Sequence, residues 1–363
     1  MNTKNYCIIL AGGKGKRLWP SSRDNKPKQF IDFFGLGRTQ LQATYDRFVK
    51  IMPKDNILIT TNQEYAAMVK EQLPDLPDDN IVIEQVNRNT APSVAWGMLK
   101  IANRDIDARV IVSPSDLFVL NEQAFDDNVN TALDLVGEHN VVITMGVKPT
   151  RPEPGYGYIQ LGEPTPTKDV YHVSSFTEKP EREFAQVFVD SGEFYWNTGM
   201  FLSNITTFIK ACEKLFVELT SLIKEKLRPE EVTPPNLLNF LTQYYSSFPN
   251  LSIDYGVLER LDNVCVMKCY FGWADLGTWH SIYECLSRNS NDNVVIDSTV
   301  MMENCKDNVI KLPKGKLAVL NGLEGFIVAE KDNVLLICKK GDTSGQIRKY
   351  VNEAQLKYGE EFV

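Results

Sequence analysis

Over the first 150 residues, short apolar runs alternate with amphipathic stretches. The apolar runs at 6–11, 56–60, 81–84, 109–113 and 141–145 have the length of buried strands. Between them, apolar residues recur at helical spacing. The segment 40–52 carries Leu41, Tyr45, Phe48 and Val49, and 63–73 carries Tyr65, Met68, Val69 and Leu73. The segment 91–103 follows Thr90, which suits an N-cap, and places Pro92 in the first turn. The segment 122–137 carries Phe125, Val129, Leu133 and Val136. Alternation of this kind predicts an α/β fold: a Rossmann-like mixed, mostly parallel sheet flanked by helices. In such sheets ligands sit at the carboxyl ends of the strands.

The pattern changes twice further along. Pro149, Pro152, Pro154, Pro164 and Pro166 break the next stretch into short pieces, with Tyr156–Leu161 and Val170–Thr177 as further strands. Helical periodicity returns at 204–226 and 236–247, on either side of a Pro-rich break at 229–235. After residue 288 the tripeptide Asp-Asn-Val recurs at 292–294, 307–309 and 332–334, opening a short β-rich run each time. The offsets of 15 and 25 residues are too irregular for a strict repeat and point to short strands stacked after tight turns. We therefore expect a domain of residues 1–287, then a small β-rich domain of 288–363 that is β-helix-like and ends in a helix. That terminal helix starts near 346, with Thr343 and Gln346 fitting a capping box. Ile347, Tyr350, Val351, Ala354 and Tyr358 fall on one face of it, available to the same chain or to a second copy in a homodimer.

Composition narrows the class. Hydrophobic residues at 43% and charged residues at 24% of 363 are ordinary for a globular protein. There is no run of about 18 apolar residues and no signal-peptide core, so no membrane span is expected and a cytoplasmic location is. The seven cysteines are scattered without a Cys-x-x-Cys pair, which favours reduced thiols over disulfides or zinc. The three histidines, 139, 172 and 280, are isolated from one another.

Charge points to one stretch. The first strand runs straight into Leu10-Ala11-Gly12-Gly13-Lys14-Gly15, and residues 14–28 hold six basic side chains (Lys14, Lys16, Arg17, Arg23, Lys26, Lys28) against one acid, Asp24. The whole chain carries a net charge of −8. A concentrated basic, glycine-rich loop on an acidic protein suits a phosphate-bearing small molecule better than nucleic acid. It is not a P-loop, because Gly15-Lys16 comes too early and Arg17 stands where a hydroxyl residue belongs. Leu18 occupies the place of the third glycine of the dinucleotide fingerprint, which disfavours a dehydrogenase.

Other segments carry candidate chemistry. Val110–Asp116 delivers Asp116 at the end of an apolar strand, where it serves equally as a turn residue, a helix cap or a ligand for Mg²⁺, an ion that takes one or two carboxylates plus phosphate oxygens. Phe271–Trp279, Phe176-Thr177-Glu178-Lys179-Pro180, Gly155–Ile159, Trp196–Met200 and Glu84–Val94 each have a plain reading as turns, caps or packed aromatics.

Together, and in this order, these segments resemble the sugar-1-phosphate nucleotidyltransferase family. The loop matches Leu-Ala-Gly-Gly-x-Gly-x-Arg-Leu-x-Pro followed by Lys-Pro-Lys, and Trp19 with Lys26–Phe30 is most similar to mannose-1-phosphate guanylyltransferases. The match is strong over residues 10–279, with one departure: Leu117 stands where the family has His after Asp116. The resemblance implies transfer of GMP from GTP to mannose 1-phosphate. Arg17 and Lys28 would be catalytic, with Leu10, Ala11, Gly12, Gly13, Lys14 and Gly15 around the nucleotide. Glu84, Asn89 and Thr90 would lie on the guanine side, whose N–H donors call for acceptors. Gly157, Glu178, Lys179 and Asn197 would hold the sugar phosphate, and Asp116 and Asp275 would hold Mg²⁺. Competing readings are another sugar 1-phosphate or nucleotide, and a non-catalytic regulatory subunit that binds nucleotide sugars. With the chain ending at Val363, no fused isomerase domain is expected.

Overall fold

The computed structural model describes residues 2–215, 217–341 and 344–363, and its elements follow the alternation of the sequence. The strands are β1 (Asn5–Leu10), β2 (Ile57–Asn62), β3 (Ile81–Glu84), β4 (Arg109–Pro114), β5 (Leu117–Val119), β6 (Val142–Val147), β7 (Gly157–Pro164), β8 (Val170–Glu178), β9 (Phe194–Asn204), β10 (Val264–Cys269) and β11 (Trp273–Asp275). The smaller strands β12 (Val294–Ile296), β13 (Thr299–Glu303), β14 (Val309–Lys311), β15 (Leu317–Asn321), β16 (Phe326–Lys331) and β17 (Val334–Lys339) follow. The helices are α1 (Gln40–Val49), α2 (Ala66–Gln72), α3 (Thr90–Arg104), α4 (Glu122–Glu138), α5 (Arg182–Ser191), α6 (Ile205–Leu215), α7 (Val217–Lys226), α8 (Pro234–Tyr244), α9 (Ile253–Gly256), α10 (Trp279–Cys285) and α11 (Ser344–Tyr358).

Two compact units form, neither continuous in sequence. The first comprises Met1–Gly12, Tyr45–Ser115 and Val119–Trp273. Its nine-stranded sheet has the order β3-β2-β1-β4-β9-β6-β10-β8-β7. β1 pairs in parallel with β2 and β4, and β6 in parallel with β10. Cys7, Ile8 and Ile9 are fully buried, as a central strand covered on both faces requires. The periodic face of α3 (Val94, Met98, Ile101) packs into the same core as Ile8, Leu58 and Val110.

Two sequence expectations change here. The stretch Trp196–Met200 reads as turn-like in sequence, yet it lies within the full strand β9, antiparallel to β4 and β6. Gly199 has φ of +74°, and the β6–β9 register shifts between Thr144 and Gly146, so the turn-forming residues mark a bulge inside a strand. At α3 the cap is Asn89, whose side chain accepts from Thr90 N at 2.9 Å. Thr90 is the first helical residue, and its hydroxyl accepts from Ile253 N at 2.8 Å.

The second unit comprises Gly13–Thr44, Asp116–Phe118 and Ala274–Val363. β12, β14 and β16 lie parallel, β17 pairs antiparallel with β16, and β13 pairs in parallel with β15. The Asp-Asn-Val recurrence has a physical cause. Asp292, Asp307 and Asp332 each take a left-handed turn, with φ of 57°, 60° and 51°. The valine that follows two residues later, Val294, Val309 or Val334, points into the core. Asn293 and Asn308 are buried between them: Asn308 Nδ2 donates to Asn293 Oδ1 at 2.7 Å and to Leu323 O at 2.8 Å, while Asn308 Oδ1 accepts from Phe326 N at 2.8 Å. Ile347 and Val351 of α11 are buried in the core shared with Leu18, Trp19, Phe33 and Trp279, whereas Tyr350 and Tyr358 stay exposed. Thr343, of the expected capping box, lies outside the described residues.

Candidate active site

The glycine-rich loop leaves β1 with its carbonyls anchored. Ala11 N–H donates to Thr60 O at 2.8 Å, so that donor belongs to the fold and not to a ligand. The carbonyls of Gly12, Gly13 and Lys14 accept from Asn62 Nδ2 (3.4 Å), Gln29 Nε2 (2.8 Å) and Ser22 Oγ (3.4 Å). Because peptides are planar and trans, anchoring these carbonyls turns the N–H groups of Gly13, Lys14 and Gly15 the other way. Gly15 then caps a short 3₁₀ turn, Lys16–Leu18, with φ of +64°. A Cβ on it would fall 2.6 Å from Ser22 Oγ and 3.0 Å from Lys28 Cγ, so both the turn and the approach of Lys28 need glycine.

In the second unit three separated stretches of sequence converge. Lys28 opens the 3₁₀ turn Lys28–Phe30, fixed by the buried Gln29 and Phe30. Its ammonium pairs with the Asp116 carboxylate and lies 3.9 Å from Asp275 Oδ1. Arg17 adds a second cation beside Asp275. A Cβ at Gly277 would stand 2.8 Å from both Asp275 carboxylate oxygens and 3.1 Å from Arg17 Nη2. Burial pushes the Asp275 carboxyl up; Lys28 pulls it back, the Asp116 charge pushes it up further, and Arg17 opposes that. Two desolvated carboxylates around one ammonium form a hard, oxygen-only donor set, which fits Mg²⁺ retaining water or phosphate oxygens as its other ligands. Among the described residues, no group of three or more His, Cys, Asp or Glu is placed to hold a metal.

The remaining basic residues of the loop divide. Lys14 and Lys16 pair with Asp24 at 3.1 and 3.5 Å, and Arg23 is buried.

The first unit holds the other candidates. Glu84 ends β3, buried, with Oε1 4.0 Å from the position of a Cβ on Gly12. Burial pushes its carboxyl up, and the hydroxyls of Ser93 and Tyr245 draw it back. Asn89 has its amide oxygen engaged as the α3 cap, next to Thr90. Gly157 and Glu178 are register partners on β7 and β8, and a Cβ at Gly157 would fall 2.5 Å from Glu178 Oε2. Lys179 follows with φ of +47° and pairs with Glu178, a strained backbone of the kind held at functional sites. Asn197 on β9 accepts from Gly199 N at 3.0 Å and donates to Asp254 Oδ1 at 2.8 Å. Among the described residues, its second amide hydrogen has no acceptor beyond that bond. The sequence reading missed Asp254, whose carboxyl is pushed up by burial and by the Glu178 charge. It sits in the first turn of α9 behind the Ser252 cap, where an acid looks like an ordinary helix-start residue.

The arrangement thus gathers Arg17, Lys28, Asp116 and Asp275 in one unit, and Glu84, Asn89, Thr90, Gly157, Glu178, Lys179 and Asn197 in the other. An α/β sheet with an anchored glycine loop and a cation–carboxylate cluster defines an enzyme class that handles phosphates. Residues 6–291 match the model of the nucleotidyl transferase family, and the chain belongs to that family.

Among its relatives, mannose-1-phosphate guanylyltransferase ManC of Salmonella typhimurium is 33% identical over 344 residues, 92% of this chain and 70% of that one. Alginate biosynthesis protein AlgA of Pseudomonas putida is 32% identical over 343 residues, covering 93% and 69%. Among solved structures, the crystal structure of a mannose-1-phosphate geranyltransferase from Thermus thermophilus superposes with a TM-score of 0.83 at 28% identity, covering 97% of this chain and 100% of that one.

Proposed function

We propose that this chain transfers GMP from GTP to mannose 1-phosphate, releasing pyrophosphate and GDP-mannose. The observation that carries the reading is the convergence of Lys28, Arg17, Asp116 and Asp275, supported by relatives that bear this activity in their names.

An oxygen of the sugar phosphate attacks the α-phosphorus in line; the new P–O bond forms as the bond to pyrophosphate breaks. The nucleophile is already anionic at neutral pH, so no general base is required. The work left to the protein is positioning and charge neutralisation. Lys28 neutralises the α-phosphate and the attacking oxygen, and Arg17 stabilises the departing pyrophosphate. The N–H groups of Gly13, Lys14 and Gly15 face the nucleotide phosphates, and Leu10, Ala11 and Gly12 belong to the same nucleotide-binding stretch. Glu84 accepts from the guanine edge, and Asn89 and Thr90 set the start of α3 on that side. Glu178 and the free amide hydrogen of Asn197 bind sugar hydroxyls, Gly157 leaves room for the ring, and Lys179 holds the sugar phosphate. Asp116 and Asp275 would hold Mg²⁺, which when bound supplies further neutralisation of phosphate oxygens.

On the same reading, residues 1–287 carry the transfer. Residues 288–363 form a β-helix-like domain, a view supported by the stacked parallel strands and the Asn293–Asn308 ladder. The enzyme works in the cytoplasm without nucleic acid or membrane, and the exposed Tyr350 and Tyr358 of α11 offer a face for a homodimer. Among the described residues, no helix is long and apolar enough to cross a membrane. A panel of four nucleoside triphosphates against mannose, glucose and fucose 1-phosphates with Mg²⁺ tests the reading. GTP with mannose 1-phosphate should release pyrophosphate fastest; a faster pair, or no release from any, would overturn it.

A further inference from the structure

Of the basic loop residues that the chemistry leaves over, Arg23 is the buried one, only 6% exposed. Its guanidinium faces the far end of the chain. Nη1 donates to Asn333 Oδ1 at 2.9 Å and to Glu361 O at 3.0 Å, and Nη2 donates to Lys331 O at 2.7 Å. Asn333 belongs to the third Asp-Asn-Val turn. Its earlier counterparts, Asn293 and Asn308, stack on each other, but Asn333 instead holds Arg23 and donates to Glu361 O at 3.3 Å. A second tie lies four residues earlier: Trp19 Nε1 donates to Phe362 O at 2.7 Å, and Trp19 O accepts from Trp279 Nε1 at 3.2 Å.

These two ties bracket the phosphate cations. Arg17 precedes Trp19 by two residues. Arg23 and Lys26 form a tight antiparallel bridge, with Arg23 N to Lys26 O at 3.3 Å and Lys26 N to Arg23 O at 3.1 Å, and Lys28 follows two residues on. The direction in which Lys28 leaves the turn is therefore set by where Arg23 is held.

We propose that the third Asp-Asn-Val turn and the main chain of Glu361–Phe362 form a strap that positions Arg17 and Lys28, through Trp19 and Arg23. The C-terminal segment then takes part in phosphate chemistry without touching substrate, and Arg23, Trp19 and Asn333 are positioning residues. This rests on the assignment of Arg17 and Lys28 made above. The ties are to carbonyl oxygens, so the side chain of Glu361 is dispensable while the path of its backbone is not.

The test uses full-length variants Arg23→Gln, Trp19→Phe, Asn333→Ala and Glu361→Ala, assayed on whichever substrate pair the wild type turns over best. A misplacement of about 1 Å at a reacting group costs up to ~100-fold in rate. Arg23→Gln and Trp19→Phe should lower kcat about 10- to 100-fold, with KM for the sugar phosphate within about 3-fold. Asn333→Ala, the mildest change and distant in sequence from the loop, should lower kcat by about 3- to 10-fold, and Glu361→Ala should match wild type. Hydrogen exchange supplies a readout independent of activity. The amides of residues 15–30 should lose protection in Asn333→Ala while the strands of the first unit keep theirs. Normal kcat in folded Arg23→Gln and Asn333→Ala, or unchanged exchange at 15–30, would overturn the strap. A wild type inactive on every pair would instead overturn the function, and the exchange experiment would still decide the strap.

Discussion

At the scale of the residue, the site is a problem of crowded charge. Asp116 and Asp275 share one ammonium, and the Arg17 guanidinium stands next to Gly277. Asp275→Asn keeps the size and removes one anionic ligand, so the Mg²⁺ concentration for half-maximal rate should rise about 10-fold; a metal titration that does not move would return Asp275 to a turn residue. Gly277→Ala places a methyl 2.8 Å from the Asp275 oxygens. It should cost roughly 10- to 100-fold in kcat with a small change in melting temperature. Glu84 makes a prediction about pH. Burial holds its carboxyl above the ordinary value, so the folded state binds a proton more tightly than the unfolded state does. That group contributes its full stability below the unfolded pKa and loses it as pH rises through the folded one. Glu84→Gln should therefore stabilise the protein at pH 7 relative to wild type, by a margin that shrinks as the pH is lowered toward the ordinary carboxylate range. Thermal melts across that range check it, and a margin that grows on acidification would contradict the sign. A carboxyl buried at a cost to the fold suits a role in ligand recognition, as its place beside Gly12 suggests.

At the scale of the element, what could be read in advance depended on whether a local signal and the tertiary context agreed. β1 to β4, β6 and α1 to α4 were legible, because apolar runs bounded by turn residues leave few alternatives. β9 was not, because Asn197-Thr198-Gly199 carries a turn signature that the sheet accommodates as a bulge. The α3 cap is Asn89, one position before Thr90, whose hydroxyl is engaged by Ile253 N. The Asp-Asn-Val turns were visible as a recurrence, but the cause of it, buried asparagines satisfying main-chain groups of neighbouring turns, needs the third dimension. Asn308→Ala would strand Phe326 N, while Leu323 O keeps Lys306 N at 2.9 Å and Asn293 Oδ1 keeps Asn308 N at 3.1 Å, and should cost about 2 kcal/mol. Denaturant unfolding measures that directly, and a loss under about 1 kcal/mol would mean that water replaces the ladder.

At the scale of the whole molecule, the candidate site was legible as a set of motifs but not as a division of labour. The basic loop suggested a phosphate site without dividing its six cations, whereas Lys14 and Lys16 face Asp24 and Arg23 faces the C-terminal segment. Net charge along a segment cannot show which way each side chain points. Asp254 stayed hidden for the same reason, since its partner Asn197 lies 57 residues away. Kinetics of Lys28→Ala with GTP and mannose 1-phosphate, against wild type, test the central claim most directly. Wild type should form GDP-mannose and pyrophosphate in equal amounts. Lys28→Ala should lose about 10²- to 10³-fold in kcat while keeping its affinity for GTP within about 10-fold. A variant that turns over at close to the wild-type rate would contradict the account.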